Sequence, residues 1–194
     1  MNTDLAEPEL ATRERVYRAL KSRAARADPN AECLARVLAS WAAGEGALPA
    51  CLGLKPDEYR RLLETFFPGA QPPGEAFRPP ADPGRFPEAD DLLALLLSHA
   101  QRPEWPETRW IAAILVAACL GNDHLWQDLG LWSRADLSLL LAYNFPSLAM
   151  LNTGDMKWKK FLYKKLCEAE GIYVCRAPSC AVCLDYAGCF GSEG

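Results

Sequence analysis

Four cysteines, Cys175, Cys180, Cys183 and Cys189, crowd the last 20 residues of this 194-residue chain in a C-x4-C-x2-C-x5-C spacing. Four thiols this close together cannot be spread over a core; the chain must fold them around something. Thiolates are soft donors that select iron–sulfur clusters or zinc over hard cations. Pro178 and Gly188 lie between the sulfurs, where tight turns help point them inward. Short irregular loops also present backbone N–H groups to cluster sulfurs. Structural zinc sites usually pair two C-x2-C knuckles across a longer loop. Here a single C-x2-C pair is flanked by lone cysteines at spacings of four and five. The first three share the C-x4-C-x2-C spacing of plant-type ferredoxins, but the fourth follows at once instead of far downstream. The spacing favours an iron–sulfur cluster over zinc, and either over disulfides. The other four cysteines, Cys33, Cys51, Cys119 and Cys167, are scattered and read as small packing residues.

The stretch from Met156 to Cys167, just upstream, holds five lysines and no acid. At 100° per residue, Trp158, Phe161, Leu162, Leu166 and Ala169 share one helical face, and Lys157, Lys160 and Lys164 gather opposite. Such a face is ordinarily a solvated one; placed beside clustered thiols it is also a candidate surface for an oxyanion or an acidic partner. Of the two histidines, His124 has Asp123 and Asp128 close in sequence. Imidazole suits transition metals, and a carboxylate would fix its tautomer. The alternative is a helix-end histidine bonded to backbone. His99 follows a leucine-rich helix and reads as structural or as a helix C-terminal dipole partner. There is no glycine-rich phosphate loop, nucleophile elbow or recognisable catalytic carboxylate pair.

Half the residues are hydrophobic, and 21 basic against 25 acidic side chains leave a net charge of −4. Half apolar and a quarter charged is ordinary globular composition, which excludes wholesale disorder. The acidic balance argues against general nucleic-acid or anionic-membrane binding. The longest apolar run, residues 110–120, is 11 residues; a membrane span needs about 20, so a buried helix is expected. Residues 1–7 have neither a basic start nor an apolar stretch, so no secretory signal is read and the cytoplasm is the expected compartment.

The elements that must carry these residues are helical throughout, since no segment alternates with period two. Helices are expected over 8–27; over 29–44, with Asp28 as N-cap and Pro29 at the first helical position; and from Pro56, ending before Pro68. After Pro87 they continue through the leucines at 92–97, over 107–120 and as a turn at 124–129 closed by Gly130. Ser133 with Asp136 resembles a capping box heading a helix that ends near Pro146, and Asp155 would cap a last helix to Gly171. Five prolines and three glycines between 69 and 84 read as a linker. The chain divides into an N-terminal helical part (1–68), that linker (69–84), a helical core (85–171) and a cysteine-rich tail (172–194). The fold class is all-α, with an irregular, metal-binding C-terminal tail.

Residues 123–131 (DHLWQDLGL), 144–149 (NFPSLA), Asn152, residues 155–161 (DMKWKKF) and the cysteine tail ending Cys189-Phe-Gly together resemble the NifQ nitrogen-fixation family, over roughly residues 90–194. The resemblance implies a non-enzymatic iron–sulfur protein that carries a molybdenum–iron–sulfur cluster. Such a protein delivers molybdenum for assembly of the nitrogenase iron–molybdenum cofactor, working with the cofactor scaffold protein and the nitrogenase iron protein. By that likeness Cys175, Cys180, Cys183 and Cys189 ligate a cluster of 3Fe-4S or 4Fe-4S type. A three-iron cluster has a vacant corner and needs three thiolates, leaving the fourth to capture molybdenum. Lys157, Lys160 and Lys164 would raise the local molybdate concentration, and His124 would offer a nitrogen. Two other readings remain open: a small ferredoxin-like electron-transfer protein, and a helical interaction protein with a structural zinc tail.

Overall fold

The computed structural model describes residues 6–25, 28–73, 79 and 88–169. The tail that carries Cys175, Cys180, Cys183 and Cys189 lies outside the described residues, as do most of residues 74–87. The described residues form an all-α fold. Helices α1 (Ala6–Lys21), α2 (Pro29–Ala42) and α3 (Pro56–Phe66) precede the proline-rich segment. Helices α4 (Ala89–Ser98), α5 (Pro106–Ala118), α6 (Leu125–Asp128), α7 (Arg134–Asn144), α8 (Pro146–Met150) and α9 (Trp158–Ala169) follow it. No helix among the described residues is long and apolar enough to cross a membrane.

Local chemistry explains most of the starts. The Asp28 carboxylate accepts the Asn30 N–H at 2.7 Å and Pro29 opens α2, as the sequence suggests. Ser133 and Asp136 form the reciprocal capping box at α7: the Asp136 N–H donates to Ser133 Oγ at 3.2 Å, and the Ser133 N–H donates to Asp136 Oδ2 at 3.0 Å. Gly130 (φ +75°) closes α6, and a Cβ there would come within 2.8 Å of Ser40 Cβ.

The structure departs from the sequence reading at five points. Helix α1 stops at Lys21, short of residue 27. A 3-10 turn at Ala50–Gly53 was not foreseen; it sets Cys51 (φ 53°) and Leu52 (φ 57°) in the left-handed region. That strain is offset by the complete burial of Leu52. Cys51, expected to be packed, is only partly buried there. Helix α8 is also unforeseen, because a proline that ends one helix can open the next. Finally, Asp155 does not cap α9. It takes a positive φ of 51° three residues before the helix, and its carboxylate is gripped by Arg134 through two parallel bonds of 2.8 and 3.0 Å.

Side chains from Leu20 to Leu166 form one hydrophobic cluster, so residues before and after the 69–84 segment share a core. Helix α5 runs through it with Ile111, Ala112 and Leu115 buried. Helix α2 packs on α1 and α7, and α4 on α5 and α9. A buried reciprocal amide pair links the two sides: Asn30 Nδ2 donates to Asn144 Oδ1 (3.0 Å), and Asn144 Nδ2 to Asn30 Oδ1 (2.6 Å). Each amide satisfies the other, which removes most of the cost of burying them.

Candidate functional site

The four tail cysteines lie outside the described residues, so the described part of the site is the platform from which the tail departs: helix α9 and its seat. The turn before α9 is built by Asn152, whose side-chain amide meets the Met156 backbone from both directions. Asn152 Nδ2 donates to Met156 O and the Met156 N–H donates to Asn152 Oδ1, both at 2.9 Å. Together with the Arg134–Asp155 grip, this sets the direction in which α9 begins. Trp158 then packs edge-on against Phe161, with centroids 5.7 Å apart at 86°, and its indole N–H donates to Ser138 Oγ at 3.0 Å.

Buried residues on α9 are Trp158, Phe161, Leu162, Tyr163, Leu166 and Cys167. The arc is wider than the sequence pattern suggests, because Tyr163 and Cys167 are covered on one flank, while Ala169, expected on the apolar face, is exposed. Burial holds the Tyr163 hydroxyl well above the usual phenol range.

Lys159 is the residue of this platform whose place the sequence pattern missed. Its side chain is 15% exposed and forms an ion pair with Asp128, which is 3% exposed. Its ammonium also donates to the carbonyls of Gly121 (2.9 Å) and Asp123 (2.8 Å). Three donors thus meet three acceptors, the arrangement a buried ammonium requires. Gly121 makes room for it: a Cβ there would sit 2.2 Å from the Asp128 carboxylate. A signal was available in the sequence. Lys159 lies within about 20° of Leu166 on the helical wheel, and a charge on an apolar arc must find a partner. Cys119 lies close enough to feel this pair; burial pushes its thiol up to about 12, with Lys159 opposing and Asp128 adding to the shift.

The clamp therefore joins the first turn of α9 to the segment carrying His124. That histidine is the N-cap residue of α6, its own N–H donating to Gln127 Oε1 at 3.3 Å. The C-terminal end of α9, at Ala169, is about 15 Å further along the helix axis. Among the described residues, no group of three or more His, Cys, Asp or Glu side chains is placed to hold a metal, at His124 or elsewhere. His99 has a structural part: as C-cap of α4 its Nδ1 meets Ser147 Oγ at 2.9 Å.

Lys157, Lys160 and Lys164 share the narrow stripe of α9 left outside the buried arc; Lys164 is exposed and the other two are half-buried. Glu168 enters the same stripe, 3.9 Å from Lys164 and 2.7 Å from Lys165. The positive field is therefore offset toward the C-terminal end of the helix. Of the scattered cysteines, Cys33, Cys119 and Cys167 are buried as expected. Burial, reinforced by Asp136, pushes the Cys33 thiol up to about 12.

The NifQ family model matches residues 33–191, a span that contains the whole cysteine motif. The chain is 44% identical over 171 residues to Protein NifQ of Azotobacter vinelandii, covering 82% of this chain and 87% of that protein. It is 43% identical to the Protein NifQ homolog of Sinorhizobium fredii (82% and 69%) and 39% identical to Protein NifQ of Rhodobacter capsulatus (82% and 87%). No solved structure matches the chain.

Proposed function

The chain belongs to the NifQ family of nitrogen-fixation proteins, and from that premise we propose that it carries an iron–sulfur metallocluster and donates molybdenum for biosynthesis of the nitrogenase iron–molybdenum cofactor. The observation that carries this reading is the set of four thiolates at Cys175, Cys180, Cys183 and Cys189, inside the family-matched span. An all-sulfur donor set of four suits iron–sulfur chemistry and would exclude hard cations. When bound, the cluster supplies soft, reduced sulfur to which molybdenum can attach.

The rest of the work belongs to the chain's own side chains. Molybdate is a dianion, and Lys157, Lys160 and Lys164 form a cationic stripe on the helix that leads to the ligands, raising its local concentration. The Lys159 clamp, the Asn152 turn and the Trp158 anchor hold that stripe in a fixed direction on the body. His124 would offer a nitrogen donor for molybdenum from a segment tied to the same helix. The protein acts as a carrier rather than a catalyst, handing its cargo to the cofactor scaffold protein with the nitrogenase iron protein as a second partner.

Elemental analysis of anaerobically purified protein, with its visible spectrum, tests this reading. Iron, acid-labile sulfide and molybdenum in one protein are expected. Iron and sulfide alone, with reversible redox cycling, would make it an electron-transfer protein, and a colourless zinc protein would make the tail structural. For His124, wild-type molybdenum retention in His124→Ala would return the histidine to its N-cap position and nothing more.

A further inference from the structure

A second place in the molecule is built for a ligand, and none of its lining belongs to α9. Where the starts of α2 and α5 meet the ends of α3 and α7, a cavity of about 120 Å³ opens, lined by Asp28, Asn30, Phe66, Arg102, Thr108 and Asn144 among others. At about 30 Å³ per water, it holds a molecule of a few heavy atoms.

Its charges are held apart. The Arg102 guanidinium is stacked between Trp105 (4.7 Å to the ring centre) and Tyr143 (5.2 Å), and one of its N–H groups donates to the Tyr143 hydroxyl at 3.3 Å. Asp28 is tied as the N-cap of α2 by the Asn30 N–H. The two line the same cavity and sense each other's charge, yet no ion pair joins them. Arg102 is held by its two rings and the Tyr143 hydroxyl, and Asp28 by its cap. Glu107, in the first turn of α5, adds a second carboxylate to the lining.

The donors on the Arg102 side are also unspent. Thr108 is 4% exposed and lines the cavity, and its hydroxyl forms no hydrogen bond among the described residues. The hydroxyl opens onto the cavity and is not sealed in the core, so a ligand can reach it. It stands on the third residue of α5, a 13-residue helix whose N-terminus has no side-chain cap, and although the Thr108 N–H donates to the Trp105 carbonyl at 3.1 Å, the helix dipole favours an anionic group beside the hydroxyl. A simple anion would suit Arg102 and Thr108 but meet the two carboxylates; a simple cation would meet the guanidinium. A molecule carrying both charges a few ångströms apart satisfies both sides. Phe66 and Ala31 leave an apolar wall for a short side chain.

We propose that this cavity binds a small zwitterionic α-amino acid, its carboxylate held by Arg102, Thr108 and the start of α5 and its ammonium by Asp28 and Glu107. The site is independent of the cluster reading, and its occupancy is measurable whatever metal the tail carries.

The test is calorimetric and NMR titration of the full-length protein with L-alanine and L-serine, with acetate and methylammonium as single-charge probes. Saturable binding of an amino acid, at least about tenfold tighter than either single-charge probe, is expected. Arg102→Gln and Asp28→Asn should each weaken it by about tenfold or more, and Thr108→Val by a few-fold. Asparagine retains the N-cap, so Asp28→Asn removes the charge without unfolding α2; unchanged far-UV circular dichroism verifies that for each variant. Acetate binding as tightly as the amino acids would make this an oxyanion site and overturn the proposal. So would the absence of saturable binding by either amino acid at about 10 mM, or affinity unchanged in both charge variants.

Discussion

Lys159 illustrates how one side chain can join two elements only when every charge it brings is answered. Its ammonium and the Asp128 carboxylate are both withdrawn from water, so removing one strands the other. Lys159→Met is expected to lower the unfolding free energy by about 3–5 kcal/mol, read by urea denaturation, with Asp128→Leu added to it recovering part of the loss. A cost below about 1 kcal/mol would show that Asp128 is reached by solvent and that the pair is no clamp. The buried thiols of Cys33 and Cys119 give a second residue-scale expectation. Both are raised to about 12, from an ordinary thiol value near 9. A group with a raised folded-state pKa keeps its proton in the native state after the unfolded chain has lost it. Its contribution to stability is therefore full below pH 9 and declines as pH rises toward 12. Denaturation midpoints measured across that window should fall, and Cys33→Ala with Cys119→Ala should flatten the decline. An unchanged slope in the double variant would assign the alkaline loss to other groups.

At the scale of the element, α9 presents a buried arc and a lysine stripe, and the proposal gives each its own job. The buried arc from Trp158 to Cys167 attaches it to the body, and the stripe of Lys157, Lys160 and Lys164 remains for electrostatics. None of these lysines is fully buried, so changing all three to Gln should leave the thermal unfolding temperature within a few degrees. The same variant is expected to load several-fold less molybdenum at low ionic strength, with iron content unchanged and the difference shrinking as salt is added. Equal molybdenum loading by variant and wild type would remove the stripe from the mechanism. Glu168, paired with Lys164 and Lys165, predicts that the N-terminal end of the stripe carries most of the effect.

Across the whole molecule, the shared core of the described residues runs from Leu20 to Leu166, all of it before the first cysteine of the tail in sequence. We expect this core to hold the helical body together without the cluster. A chain with Cys175, Cys180, Cys183 and Cys189 all changed to Ala should keep its far-UV circular dichroism and a cooperative unfolding transition while losing iron. Loss of helicity would mean that the ligands hold the body together. Local rules were enough to read the helices from the sequence, since capping at Asp28 and Ser133, proline at first positions and 3.6-residue periodicity all act within a few residues. Thiol type and spacing at 175–189 carry the proposed metal chemistry, because ligand softness belongs to the side chain itself. What the sequence could not reveal depends on partners distant in the chain. Asp155 looked like a cap until Arg134 took its carboxylate, and Leu52 is held in a left-handed turn by its burial. Asn30 meets Asn144 across 114 positions, Lys159 meets Asp128 across 31, and Arg102 faces Asp28 over a cavity that four helices enclose. Those outcomes were decided by tertiary packing, because the cost of burying a polar group is set by which partner the fold brings to it.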